Sequence, residues 1–188
     1  ISHFAGIWLN TDEVLSESRP NIASFTEAVK TAMAQEVREL FKHIFYDNSI
    51  PFSDFYGGDI SMINAELAQF YGANGFNSDS GWQAMSVVNR GGILTTGAFL
   101  TANAHEDMTS PIHRAVRVRE LMLCHHIDPV PPLAAERDDL RELANKKRDE
   151  GTLTSREFFE IQTNHPSCDG CHKEIINPLG FGMEDYDT

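Results

Sequence analysis

The pentapeptide Cys168-Asp169-Gly170-Cys171-His172 constrains this chain more than any other stretch of it. Residues three apart lie on one face of a short helix, so both sulfurs point the same way. In that arrangement they can form thioether bonds to the two vinyl-derived carbons along one porphyrin edge. The next residue then extends its imidazole beneath the ring toward iron. The C-x-x-C-H spacing is the pattern of c-type haem attachment, and a proximal His is one of the ligand types that set haem redox behaviour. The expected cofactor is one covalent haem c on Cys168 and Cys171, with His172 bound to the metal. Covalent attachment also retains a haem where the surrounding core is small.

Other chemistries share part of this pattern. Cys-x-x-Cys plus His is a zinc-type ligand set, but it needs a fourth donor. Cys124, the one cysteine outside the motif, is far along the chain and would have to come close in space. A disulfide between Cys168 and Cys171 is compatible with their spacing, although an odd cysteine count does not suggest a disulfide scaffold. A thioredoxin-like redox pair would need a βαβ context that is missing here.

Charge narrows the partners. The chain has 188 residues, with 15 Lys and Arg against 28 Asp and Glu, a formal net charge of -13. A nucleic-acid binder needs a basic face, so no nucleic-acid partner is expected. An acidic surface suits a basic or cation-mediated docking partner. No apolar run is long enough to span a membrane. The sequence begins at Ile1 and shows no signal peptide, which reads as a processed product or a piece of a longer polypeptide.

Apolar periodicity gives a mostly helical chain. Phe25, Val29, Met33, Val37, Leu40, Phe41 and Ile44 recur at helical spacing, predicting a helix over Ile22–Tyr46. A shorter helix is predicted over Ser61–Phe70, an extended segment over Trp82–Asn89 and an apolar helix over Ile93–Ala102. Ser110-Pro111 pairs an N-cap with a first-turn proline and starts a helix reaching about Cys124. Asp128-Pro129-Val130-Pro131-Pro132 reads as a stiff linker, followed by a charged, solvated helix over Leu133–Glu150. Thr154 or Ser155 caps the next helix, and Pro166 opens the haem segment. The fold class is mainly α: an irregular helical bundle with a C-terminal cytochrome c-like haem segment. A division into an N-terminal helical part, 1–89, and a haem-binding part, 90–188, is expected, the two forming one compact unit or two.

The residues after the motif complete the expected site. Asn177-Pro178-Leu179-Gly180-Phe181-Gly182 reads as an apolar turn that can pack on a haem face, with Pro178 and Phe181 as cofactor-binding residues. A backbone carbonyl at or near Pro178 is expected to accept the His172 Nδ1 hydrogen, fixing the tautomer. Phe158, Phe159 and Tyr186 are further candidate walls, and each is as well explained as ordinary core. The sixth iron ligand separates electron transfer from catalysis. Met183 is the first candidate, because a chain of that length can reach around a haem edge; core packing beside Phe181 is its rival role. His113, His105 and Met108 are alternatives, and an open position is another. Arg90 and Arg114 could pair with propionates, with structural salt bridges as the simpler reading. Glu184, Asp185 and Asp187 form an acidic cluster without EF-hand spacing, read as a solvated face.

Several further motifs occur in a fixed order. They are Phe4 to Trp8, Asn64-Ala65-Glu66-Leu67-Ala68 with Tyr71-Gly72, Arg90-Gly91-Gly92-Ile93-Leu94-Thr95 and Thr109-Ser110-Pro111-Ile112-His113-Arg114. Cys124, the Pro-rich stretch, Cys168 to His172 and Asn177 to Asp187 follow. In this order they resemble the paired domains of planctomycete-type surface cytochromes c, catalogued as domains of unknown function, over nearly the whole chain. Asn177 departs from that pattern, where Asp is frequent, and so does Met183, where other apolar residues are frequent. The resemblance implies a periplasmic or extracellular setting within a large multidomain protein. The expected function is electron transfer by a monohaem c-type cytochrome module, with a redox partner protein or neighbouring redox domain. The alternatives are a c-haem oxidoreductase with an open distal site, acting on peroxide or a delivered substrate, a zinc-binding structural module, or a haem that serves mainly as a structural staple.

Overall fold

The computed structural model describes residues 2–47, 49–77, 79, 81–129, 138–151 and 153–186. The expected linker beyond Pro129, the first residues of the charged helix and Asp187 lie outside the described residues. The described chain is mainly helical, and it divides into two compact units, Ile1–Asp107 and Met108–Asp187. Residues 90–107 therefore lie within the first unit.

The first unit is organised around α2, Glu27–Tyr46. Its periodic face buries Val29, Met33, Val37, Leu40, Phe41 and Ile44, as the 3.6-residue pattern requires. The helix begins later than Ile22, because the Thr26 side chain accepts from the Val29 amide and sets the N-cap. Phe25, outside the helix, packs against Phe70. Helix α1, Ser2–Trp8, and a 3-10 turn, Thr11–Ser16, pack against α2. The short α3, Asp54–Gly57, brings Phe55 onto Trp8 and Phe41.

The segment predicted as a helix over Ser61–Phe70 is split. Strand β1, Ser61–Ile63, pairs antiparallel with β2, Gln83–Met85, inside the expected extended segment. Asn64 then accepts from the Leu67 amide and caps α4, Ala65–Tyr71. Ile93–Ala102 is likewise split, into a 3-10 turn at Ile93–Thr95 and α5, Gly97–Ala102, capped by Thr96.

The first unit also buries a polar cluster. Glu36 accepts a 2.7 Å hydrogen bond from the Tyr71 hydroxyl, which accepts at 3.0 Å from the Gly97 amide. Arg90 stacks on the Tyr71 ring at 3.8 Å and donates to the Thr95 carbonyl.

In the second unit, Ser110 caps α6, Pro111–Arg117, with the proline in its first turn. The helix continues through a π turn, Val118–Met122, and ends short of Cys124, whose φ of 51° is left-handed. Helix α7, Asp138–Asp149, is charged but not wholly solvated. It buries Ala144 against Phe158 and Phe159 of α8, Ser155–Thr163. A reciprocal capping box between Thr154 and Glu157 fixes the start of α8.

Candidate functional site

Helix α9, Pro166–Cys171, carries both thiols. Proline in its first turn suits a helix start, where the missing N–H has no intrahelical partner. Cys168 is 9% exposed and Cys171 half-buried, and both are thiols rather than a disulfide. Without a break in the helix, the chain passes into a π turn, His172–Ile176, and then into α10, Asn177–Phe181. The stretch predicted as an apolar turn is thus helical.

The π turn has a local cause. Pro178 has no N–H to give to the carbonyl four residues back, and its ring crowds that carbonyl. Widening the preceding turn removes the conflict, and π turns in α-helices often occur at functional sites. The widening also changes which side chains meet. In a regular α-helix, residues five apart lie about 140° from each other. Across this turn the Asn177 amide donates to the His172 carbonyl, and the two side chains come together.

His172 Nδ1 lies 3.2 Å from Asn177 Oδ1. The expected backbone carbonyl near Pro178 is therefore replaced by the side chain one residue earlier. The network fixes proton positions. The Thr163 hydroxyl donates to the Phe159 carbonyl at 2.9 Å, so its oxygen accepts from Asn177 Nδ2 at 3.0 Å. Asn177 then faces His172 with its carbonyl oxygen, and Nδ1 carries the hydrogen. Nε2 is left with the lone pair, as a metal-binding imidazole requires. Burial pushes the His172 pKa below its ordinary value, opposed by the Asn177 hydrogen bond, and so favours the neutral ring.

A cavity of about 790 Å³ opens beside this helix, within the size range of cofactor sites. Pro178, Phe181, Asn177, Leu153, Ile161 and Arg156 are among the residues that line it. Two expected cofactor-binding residues, Pro178 and Phe181, thus share one wall. The side of the helix bearing Cys168, Cys171 and His172 is not part of that wall, and Asn177 joins the two. Phe158 and Phe159 belong to the core with Ala144, and Phe181 packs against them.

Met183 is 5% exposed, in the turn after α10. Its carbonyl accepts a 2.9 Å hydrogen bond from Arg114, which also donates to Glu184 at 3.2 Å and to the Tyr186 carbonyl. Glu184 also accepts from Thr109, so it belongs to a buried pair rather than to a solvated acidic face. His105, in the first unit, and His113, on α6, are exposed. Met108 packs at the edge of the Phe158 core, 3.9 Å from an Arg148 nitrogen. Cys124 is exposed. Among the described residues, no group of three or more His, Cys, Asp and Glu side chains is gathered as a metal cluster.

Sequence reasoning placed Asn177 in the turn after the motif but missed its contact with His172, and it missed Thr163 altogether. A proline inside a helical segment, directly after an Asn five residues past the His, is the signal that points to Asn177.

The described chain is thus a mainly helical protein whose second unit carries two thiols and an imidazole hydrogen-bonded to Asn177 along one continuous helical segment. Over residues 90–188, more than half its length, it belongs to PSCyt3, a family described as a protein of unknown function (DUF1588). Residues 1–73 match PSD4, also described as a protein of unknown function (DUF1592). No curated protein and no solved structure matches the chain.

Proposed function

We propose that this chain is an exported monohaem c-type cytochrome module that passes electrons within a larger redox protein. The observation that carries the reading is the helix bearing Cys168, Cys171 and His172. The thiols are three residues apart, and the adjacent imidazole has its free lone pair on Nε2. Cys168 and Cys171 would hold the haem covalently, and His172 would bind its iron. The haem, when bound, supplies one-electron chemistry. The chain's own part is to hold the imidazole in one tautomer and to keep it half-buried. A zinc site needs four converging donors, and the described donors do not gather in that way.

A second reading, a c-haem oxidoreductase with an open distal position, is favoured by two observations. The residues between His172 and Met183 are helical up to Phe181. At about 1.5 Å per residue they climb on the order of 15 Å instead of looping around a ring edge. Met183 is also held inside by Arg114.

The test is the optical spectrum of the chain after export to an oxidising compartment, in both oxidation states. A c-type spectrum lost in Cys168→Ser and Cys171→Ser supports haem attachment, and a colourless protein overturns it. A low-spin spectrum that Met183→Ala converts to high spin assigns electron transfer with Met183 on the iron. A high-spin spectrum unchanged by Met183→Ala, with ready binding of cyanide, assigns the open site.

A further inference from the structure

We infer that Asn177 is the positioning residue for His172. Its neutral side-chain carbonyl locks the Nδ1–H tautomer and keeps the imidazole a moderate electron donor. The inference rests on the proposed haem reading for its redox consequence, but not for its geometry.

Four features support it. The π turn at His172–Ile176 brings together two side chains that a regular α-helix would hold apart. The amide of Asn177 cannot turn over freely, because Nδ2 is committed to Thr163, whose own hydrogen goes to the Phe159 carbonyl. Thr163 is the last residue of α8, so the imidazole is referenced to a second helix and not only to its own. The acceptor is also uncharged. A carboxylate at this position would draw the Nδ1 hydrogen further from the ring, make the ligand more basic and favour the oxidised metal.

The experiment uses the whole chain in two forms. In the haem-free protein, nitrogen NMR of labelled His172 should show hydrogen on Nδ1. Asn177→Ala and Thr163→Val should give a mixture of tautomers, while Thr163→Ser keeps the single form. In the haem-loaded protein, Asn177→Asp should lower the midpoint potential, and Thr163→Ser should leave it in place. A haem-free protein with hydrogen on Nε2, or a loaded protein whose potential does not move in Asn177→Asp, overturns the inference. A wild-type chain that takes up no haem overturns the proposed function instead, and the tautomer measurement still decides the role of Asn177.

Discussion

Arg114 and Glu184 form an ion pair at 3.2 Å with the guanidinium fully buried and the carboxylate nearly so. The same guanidinium nitrogen donates to the carbonyls of Met183 and Tyr186, so one side chain on α6 secures the segment after α10. Arg114→Ala leaves the Glu184 charge buried without its cation. The expected loss is about 3–5 kcal/mol of stability, read from urea unfolding. Replacing both partners with Met should recover part of it, because no unpaired charge remains. Equal losses in the single and double variants would show that the pair does not govern this segment.

Gly180 is pressed against α6. A Cβ there would lie 2.3 Å from the Pro111 carbonyl oxygen, a backbone atom that no rotamer change can move away. Gly180→Ala should cost about 1–3 kcal/mol through overpacking. Gly182→Ala is the control, since its nearest neighbour would be the Leu179 carbonyl oxygen at 3.4 Å. Similar thermal melts for the two variants would contradict the close packing of α6 and α10.

Pro178 should govern the π turn. With Pro178→Ala the missing N–H returns and can bond to the carbonyl of Glu174, letting the helix close to α geometry. Residues 172 and 177 then move apart around the axis. The His172 Nδ1 hydrogen should exchange with solvent faster than in the unaltered chain while overall helicity holds or rises in circular dichroism. An unchanged exchange rate would mean that the π turn survives without the proline.

Glu36 sets a pH dependence in the first unit. Burial raises its pKa from 4.5 to about 7, opposed by the Tyr71 hydrogen bond and the Arg90 charge. A carboxyl that binds its proton more tightly when folded contributes stability that is full below 4.5 and is lost as pH rises toward 7. The size is on the order of 3 kcal/mol. Glu36→Gln should flatten this part of the stability–pH curve. A wild-type curve already flat between those limits would show that Glu36 stays ionised.

Local signals in the sequence predict local structure well. Ser110-Pro111, the cap at Thr154 or Ser155 and the apolar face of α2 each act within a few residues, and the helices they predict are present. The strand at Ser61–Ile63 was not legible, because its pairing with Gln83–Met85 lies far along the chain and its Met62 and Ile63 also fit a helical pattern. The first turns expected in the Ile22–Tyr46 helix are absent for a different reason. Phe25 is apolar because it meets Phe70, not because it continues a helical face. At the site, the thiols and His172 were read from spacing alone. The partner of His172 was not, since an i to i+5 contact has no counterpart in a 3.6-residue repeat.

Cys168 sits in the core of its unit, at 9% exposure. A side chain so enclosed cannot be approached by another macromolecule while its helix is closed, and reaching it requires local opening. For this thiol, the order of events in the life of the chain is therefore constrained. Any covalent chemistry at Cys168 would have to come before that helix closes or during its transient opening. The finished fold protects the thiol and does not offer it.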